Sequence, residues 1–134
     1  MTETRVLDTS LLLGRRFKLW HYLVSHSHLL IRSSIDVRET TNIDLWFVNV
    51  RYVDLGVYLG EISLDEPTEE ERIRLRVHDE FLDEHQVTAI ISDSGRGLVV
   101  SSFVHIEENK LDFFETPYGG IGELSGGIGN LPRE

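Results

Sequence analysis

Three of the six histidines, His21, His26 and His28, lie close together in the chain. Imidazole is the commonest protein metal ligand and titrates near neutrality, so a histidine metal site is the first chemistry to weigh. On a strand His26 and His28, two apart, would share a face, and His21 could join them from a neighbouring strand. A zinc or iron site needs at least three ligands converging at about 2.0–2.2 Å. His78, His85 and His105 are available, but none stands at a diagnostic spacing. The plainer reading is a serine- and histidine-rich corner satisfied by backbone and solvent, and no metal, cofactor or catalytic residue is assigned.

Other residues with chemical potential reduce to structural roles. Ser94 sits in Ser92-Asp-Ser-Gly-Arg-Gly, between two strand patterns, whereas a nucleophile elbow needs a strand followed by a helix. The glycines from Gly119 to Gly129 precede only Asn130 to Glu134, so no helix N-terminus follows to meet a phosphate. Asp44 beside Trp46 on one strand could have a raised pKa, but an edge position with Asp44 in water explains it more simply. Trp20, Tyr22, Trp46, Phe47, Tyr52 and Tyr58 crowd the early strands, where they could line a cavity for an apolar ligand or fill a core.

Charge is the more telling signal. The net charge is −10, and residues 61–85 alone carry ten acidic and three basic side chains. An acidic chain repels phosphate backbones and anionic lipid, so nucleic acid and membrane are poor partners and a basic protein is a good one. The partner-binding candidates are Glu69, Glu70, Glu71, Asp79, Glu80, Asp83 and Glu84. Shielding a basic active site, as in toxin neutralisation, is one form such binding could take. A homodimer built on strand edges and exposed aromatics is the other association left open.

Alternation of apolar residues positions these groups on strands. Phe17 to Val24 and Leu29 to Arg32 read as two strands joined by a polar corner. In Asn42 to Leu55 the residues Ile43, Leu45 and Phe47 alternate with Asn42, Asp44 and Trp46. The apolar register then passes to Val48, Val50 and Tyr52, which implies a bulge or turn near Val48-Asn49. Val57 to Leu59 and Ile62 to Asp65 continue the pattern. Thr68 and Glu71 have the form of a helix capping box. Yet Ile73, Leu75 and Val77 alternate with Arg72, Arg74 and Arg76, which favours a strand over 72–77. A meander follows, with strands at Val87 to Ser92, Gly97 to Ile106 and Leu111 to Glu115. Gly95 and Gly97 supply positive φ in its first turn.

The expected fold is mainly β: about seven to nine mostly antiparallel strands in a curled sheet, partly open barrel or sandwich, with at most one short helix. Residues 1–16 form a tail or leading element, 17–117 a single domain and 118–134 a glycine-rich tail. A chain of 134 residues is long enough for one core. It has no cysteine, which excludes disulfides and thiolate chemistry. Without an apolar leader or span, a cytoplasmic protein is expected.

Phe17-Lys-Leu-Trp, Ser25-His-Ser-His-Leu-Leu-Ile-Arg-Ser, Asn42-Ile-Asp and Asn109-Lys-Leu-Asp-Phe-Phe-Glu resemble small bacterial proteins of unknown function over residues 17–117. The resemblance implies a single bacterial domain and carries no catalytic residue across.

Overall fold

The computed structural model describes residues 8–78 and 85–120. A 3-10 turn, Thr9–Leu12, leads into β1 (Phe17–Leu23), β2 (His28–Ser33), β3 (Asn42–Val48), β4 (Tyr52–Asp54), β5 (Tyr58–Gly60) and β6 (Ile62–Asp65). Helix α1 (Glu69–His78) follows, then β7 (Gln86–Ser92), β8 (Gly95–Ser101) and β9 (Phe103–Asn109). A two-residue pair, β10 (Glu115–Thr116) with β11 (Gly119–Gly120), closes the described chain. The architecture is mainly β: a five-stranded sheet β5-β1-β2-β3-β9 faces a four-stranded sheet β4-β8-β7-β6, with antiparallel pairing throughout. Alternation places Phe17, Leu29, Ile31, Ile43, Leu45 and Phe47 on the inner face of the first sheet. They pack against Ile62, Ile90 and Val99 of the second.

Residues 55–57 carry the chain from β4 back to β5, and three bends make the other crossings between neighbouring strands of the two sheets. At Asn49, which takes φ +57°, the chain leaves β3 for β4; this is the handover read from the alternation at Val48-Asn49. At Gly60, φ +72°, β5 gives way to β6. At Ser102 a single residue separates β8 from β9. The first and third bends lie side by side, tied by Ser102 N–H to the Val48 carbonyl (3.0 Å), Arg51 N–H to the Val100 carbonyl (2.8 Å) and Asn49 Nδ2 to Ser102 Oγ (2.8 Å). Strands that switch sheets through bends make the corners of such sandwiches. The expected strand from Gly97 to Ile106 is therefore two strands in different sheets. Gly97 itself is not at positive φ: a Cβ there would run into the Asp54 carbonyl oxygen, so close approach of β4 requires the glycine.

Each sheet has its outer face covered. Helix α1 lies on the four-stranded sheet, with Leu75 packed on Val87, Ala89, Leu98 and Val100. The strand expected over 72–77 is thus a helix. The capping box forms: Thr68 N–H donates to Glu71 Oε1 (2.9 Å) and Glu71 N–H to Thr68 Oγ1 (3.1 Å). Among the described side chains of the alternating pattern only Leu75 is buried, while Ile73 is 55% exposed, so the alternation of arginine and apolar residues does not mark a buried strand face.

The outer face of the five-stranded sheet is crossed by residues 110–118. The strand expected at Leu111 to Glu115 is absent, because this segment leaves the sheet at Asn109 and straps across it. Outside a ladder its carbonyls need donors, and side chains of the sheet supply them. Asn42 Nδ2 donates to the Leu111 carbonyl (2.9 Å), Arg32 to those of Asp112 (3.3 Å) and Glu115 (2.8 Å), and Trp20 Nε1 to that of Phe113 (3.3 Å).

Candidate functional site

The acidic candidates begin on the first turn of α1. Glu69 and Glu70 are exposed and have no ion-pair partner among the described residues. Carboxylates at that end of a helix are favoured by its dipole. Glu71 is different. It closes the capping box and meets the Arg96 guanidinium from β8 at 2.7 Å and 2.9 Å, and the hydrogen bond from Arg96 chiefly holds its carboxyl down at about 2. Glu71 therefore ties helix to sheet, leaving Glu69 and Glu70 as the available charges. Asp79, Glu80, Asp83 and Glu84 lie outside the described residues. Glu61, Asp65 and Glu66 extend the exposed acidic run along β6.

The three histidines are placed differently from one another. His26 lies in the turn between β1 and β2, exposed, with Ser25 Oγ at 2.9 Å from its Nδ1. His28 opens β2, and its ring lies 6.0 Å from that of His26. His21 stands on the outer face of β1, beyond a bulge that makes Trp20 an extra residue. Among the described residues no three His, Asp or Glu side chains gather to hold a metal.

What gathers instead is an aromatic layer around Tyr118, a residue that the composition alone assigns to the tail. Tyr118 sits at the turn of the β10–β11 hairpin, its ring stacked on His28 at 4.6 Å and 5.6 Å from Trp46. Its hydroxyl shares a hydrogen bond with His21 Nδ1 at 2.8 Å. Trp46 Nε1 donates to His28 Nδ1 at 3.1 Å and its ring leans on His105 at 5.1 Å. Burial, with the Asp44 charge second, holds the Tyr118 phenol well above its usual value.

Beneath the strap, Arg32 and Asp44 form a two-pronged ion pair, Nε to Oδ1 at 2.6 Å and Nη2 to Oδ2 at 2.9 Å, with neither side chain exposed. Asp44 is therefore not at a wet edge. Strand β3 is interior, β2 sets Arg32 directly opposite Asp44, and the strap closes over both. Asn109 Nδ2 adds a bond to Asp44 Oδ2 (2.9 Å), and the Arg32 guanidinium lies 5.5 Å from the Trp20 ring. Arg32 thus joins the strap carbonyls to the sheet, and Asp44 with Asn109 fixes Arg32 from below.

Two depressions in the described surface, of 290 Å³ and 140 Å³, are lined by neither Trp20 nor Trp46. Among the described residues no helix is long and apolar enough to cross a membrane. Comparisons with protein-family models, curated proteins and solved structures found no match to the chain.

The histidines give the strap a pH dependence. Burial, then the neighbouring His26, lowers the His28 pKa, and burial lowers that of His21. The Trp46 bond also needs His28 Nδ1 unprotonated. Both rings are held neutral, so their contribution to stability is complete above the ordinary value of 6.5 and is lost as pH falls through the lowered folded-state values. The urea midpoint is expected to drop between pH 7.5 and 5, and less steeply in His28→Gln. An equal slope in wild type and variant would show that His28 plays no part.

Proposed function

We propose that the protein is a non-enzymatic binding module that captures a basic protein partner on the face formed by β6 and the solvent side of α1. The observation that carries this is the contrast within one helical turn: Glu71 is consumed by Arg96 and the cap, while Glu69 and Glu70 face solvent unpaired among the described residues. Ile73, 55% exposed, lies three and four residues further on and so shares their side of the helix. An apolar contact ringed by charges is a common plan for a binding face. The net charge of −10 adds long-range steering, which raises the association rate for a basic partner and weakens with salt. Neutralising a toxin by covering its basic active site is one function this face would serve.

The partner is to be identified by native mass spectrometry of the untagged protein isolated from its own cells. The deciding comparison is with Glu69→Lys/Glu70→Lys. The reversal is expected to slow association roughly ten-fold at low salt and to flatten its salt dependence, with the circular dichroism of α1 retained. Capture that is indifferent to both the reversal and salt would sink the reading.

A further inference from the structure

The acidic run on β6 borders a depression of 290 Å³ whose lining includes Leu64, Asp65, Glu66, Val87, Thr88 and Val104. It opens where the sheets part, since β6 and β7 belong to one sheet and β9, which carries Val104, to the other. The 3-10 turn packs against both β6 and β9 there. Thr88 is the telling residue. It pairs with Val99 and so faces between the sheets. It is only 7% exposed, yet its hydroxyl has no hydrogen-bond partner among the described residues. Buried hydroxyls are ordinarily satisfied, and one left open in a lined depression is available to a ligand. Glu66 also has a carboxylate without a partner among the described residues, whereas Asp65 accepts from the Glu66 N–H at Oδ1 (2.8 Å) and meets Arg96 Nη1 at Oδ2 (3.4 Å).

These groups suit one kind of occupant. The Thr88 hydroxyl and the Glu66 carboxylate offer acceptors, and Leu64, Val87 and Val104 offer apolar wall. Arginine combines an aliphatic stem with five N–H donors in a planar fork and has no acceptor of its own. We propose that this depression is a socket for an arginine side chain of the basic partner. The proposal rests on the acidic face being the partner-binding surface, and it adds where that surface reads a single residue. A guanidinium spans the Thr88 hydroxyl and the Glu66 carboxylate together, while Asp65, opposite Ala89 on the helix side of the sheet, stays with Arg96. An ammonium offers a point charge to one of them.

The test is a titration of the full chain, followed by amide NMR, with N-acetyl-arginine methylamide and with the corresponding lysine and norleucine compounds. The arginine compound is expected to shift the Leu64, Val87, Thr88 and Val104 amides saturably, at millimolar concentration. The norleucine compound should be weaker by on the order of ten-fold. Thr88→Val, which keeps the shape and removes the hydroxyl, is expected to weaken arginine binding several-fold with the remaining spectrum unchanged, and Glu66→Gln to do the same. Equal shifts from norleucine would make the depression a plain apolar groove. Equal shifts from lysine would overturn the guanidinium assignment, and no saturable shift at Thr88 would remove the socket. Failure here with capture still sensitive to Glu69→Lys/Glu70→Lys leaves the acidic face standing. Arginine shifts at Thr88 with capture insensitive to that reversal support the socket and remove the acidic-face reading.

Discussion

Arg32→Met is expected to destabilise the protein by about 3–5 kcal/mol, the usual effect of stranding one member of a buried ion pair. Both side chains are fully enclosed, so Asp44 would be left in a dry site where, among the described residues, only the Asn109 side chain remains to donate to its carboxylate. The loss reaches further than the pair. Arg32 also serves the strap carbonyls of Asp112 and Glu115, and a buried carbonyl without a donor costs about 1–3 kcal/mol. The double variant Arg32→Met/Asp44→Leu separates the two effects. It removes the buried charge and should recover part of the stability, because apolar replacement of a buried pair is often neutral. It cannot restore the carbonyl partners, so the strap should still lift. Urea titrations followed by circular dichroism report the first effect. Tryptophan fluorescence reports the second, because Trp20 packs edge-on against Phe113 of the strap at 4.9 Å. A loss below about 1 kcal/mol in the single variant would mean that water reaches the pair and that the strap is held by other contacts.

Leu75→Ala is expected to cost about 2–5 kcal/mol, the range for truncating a buried leucine. Here the result should be local. Among the described side chains of α1, Leu75 is the buried apolar one, on a patch made of Val87, Ala89, Leu98, Val100 and Tyr52. The polar ties at Glu71–Arg96 and Arg74–Asp54 lie toward solvent, and such pairs contribute little by themselves. The helix should therefore open ahead of the sheets. Its amides would exchange faster by one to several orders of magnitude, while those of Leu45 and Phe47 on β3 change less. Partner capture should fall with it, since the helix carries Glu69 and Glu70. Uniform loss of protection across α1 and β3 would instead make the helix part of one global unit.

Local pattern reported the strands well because each strand's inner face repeats every second residue. Ile43, Leu45 and Phe47 name the core side of β3 directly, and the change of register at Val48 marks its bend. The bend at Ser102 left no trace, since Ser101-Ser102-Phe103 has neither glycine nor proline and two serines pass equally well within a strand. At α1 two local signals conflicted: the Thr68–Glu71 cap was correct, and the alternation through Arg72 to Val77 was not a strand signal. The outer-face residues were the least legible. Asp44 alternates as a solvent-facing residue should, and only the strap, arriving from more than 60 residues later in the chain, turns that position into a buried one. Tyr118 was hidden in the same way, at the head of a glycine-rich stretch whose composition says nothing of a ring stacked on His28. Thr88 looks like any strand threonine until its neighbours across the sheet gap are in place. The acidic run was visible as charge, but which glutamates stay free depended on the reach of Arg96.

The three bends at Asn49, Gly60 and Ser102 have a kinetic consequence. Because strands run from one sheet into the other, neither sheet can be completed alone, and the pairings that join them close large loops. Asn42, for example, meets Asn109 across 67 residues. Long-range pairings of this kind must lose chain entropy before contacts repay it. The protein should consequently fold slowly for its size, with a transition state that already spans both sheets. By the same interlock, a lesion at one corner should loosen the amides of both sheets together rather than of one alone.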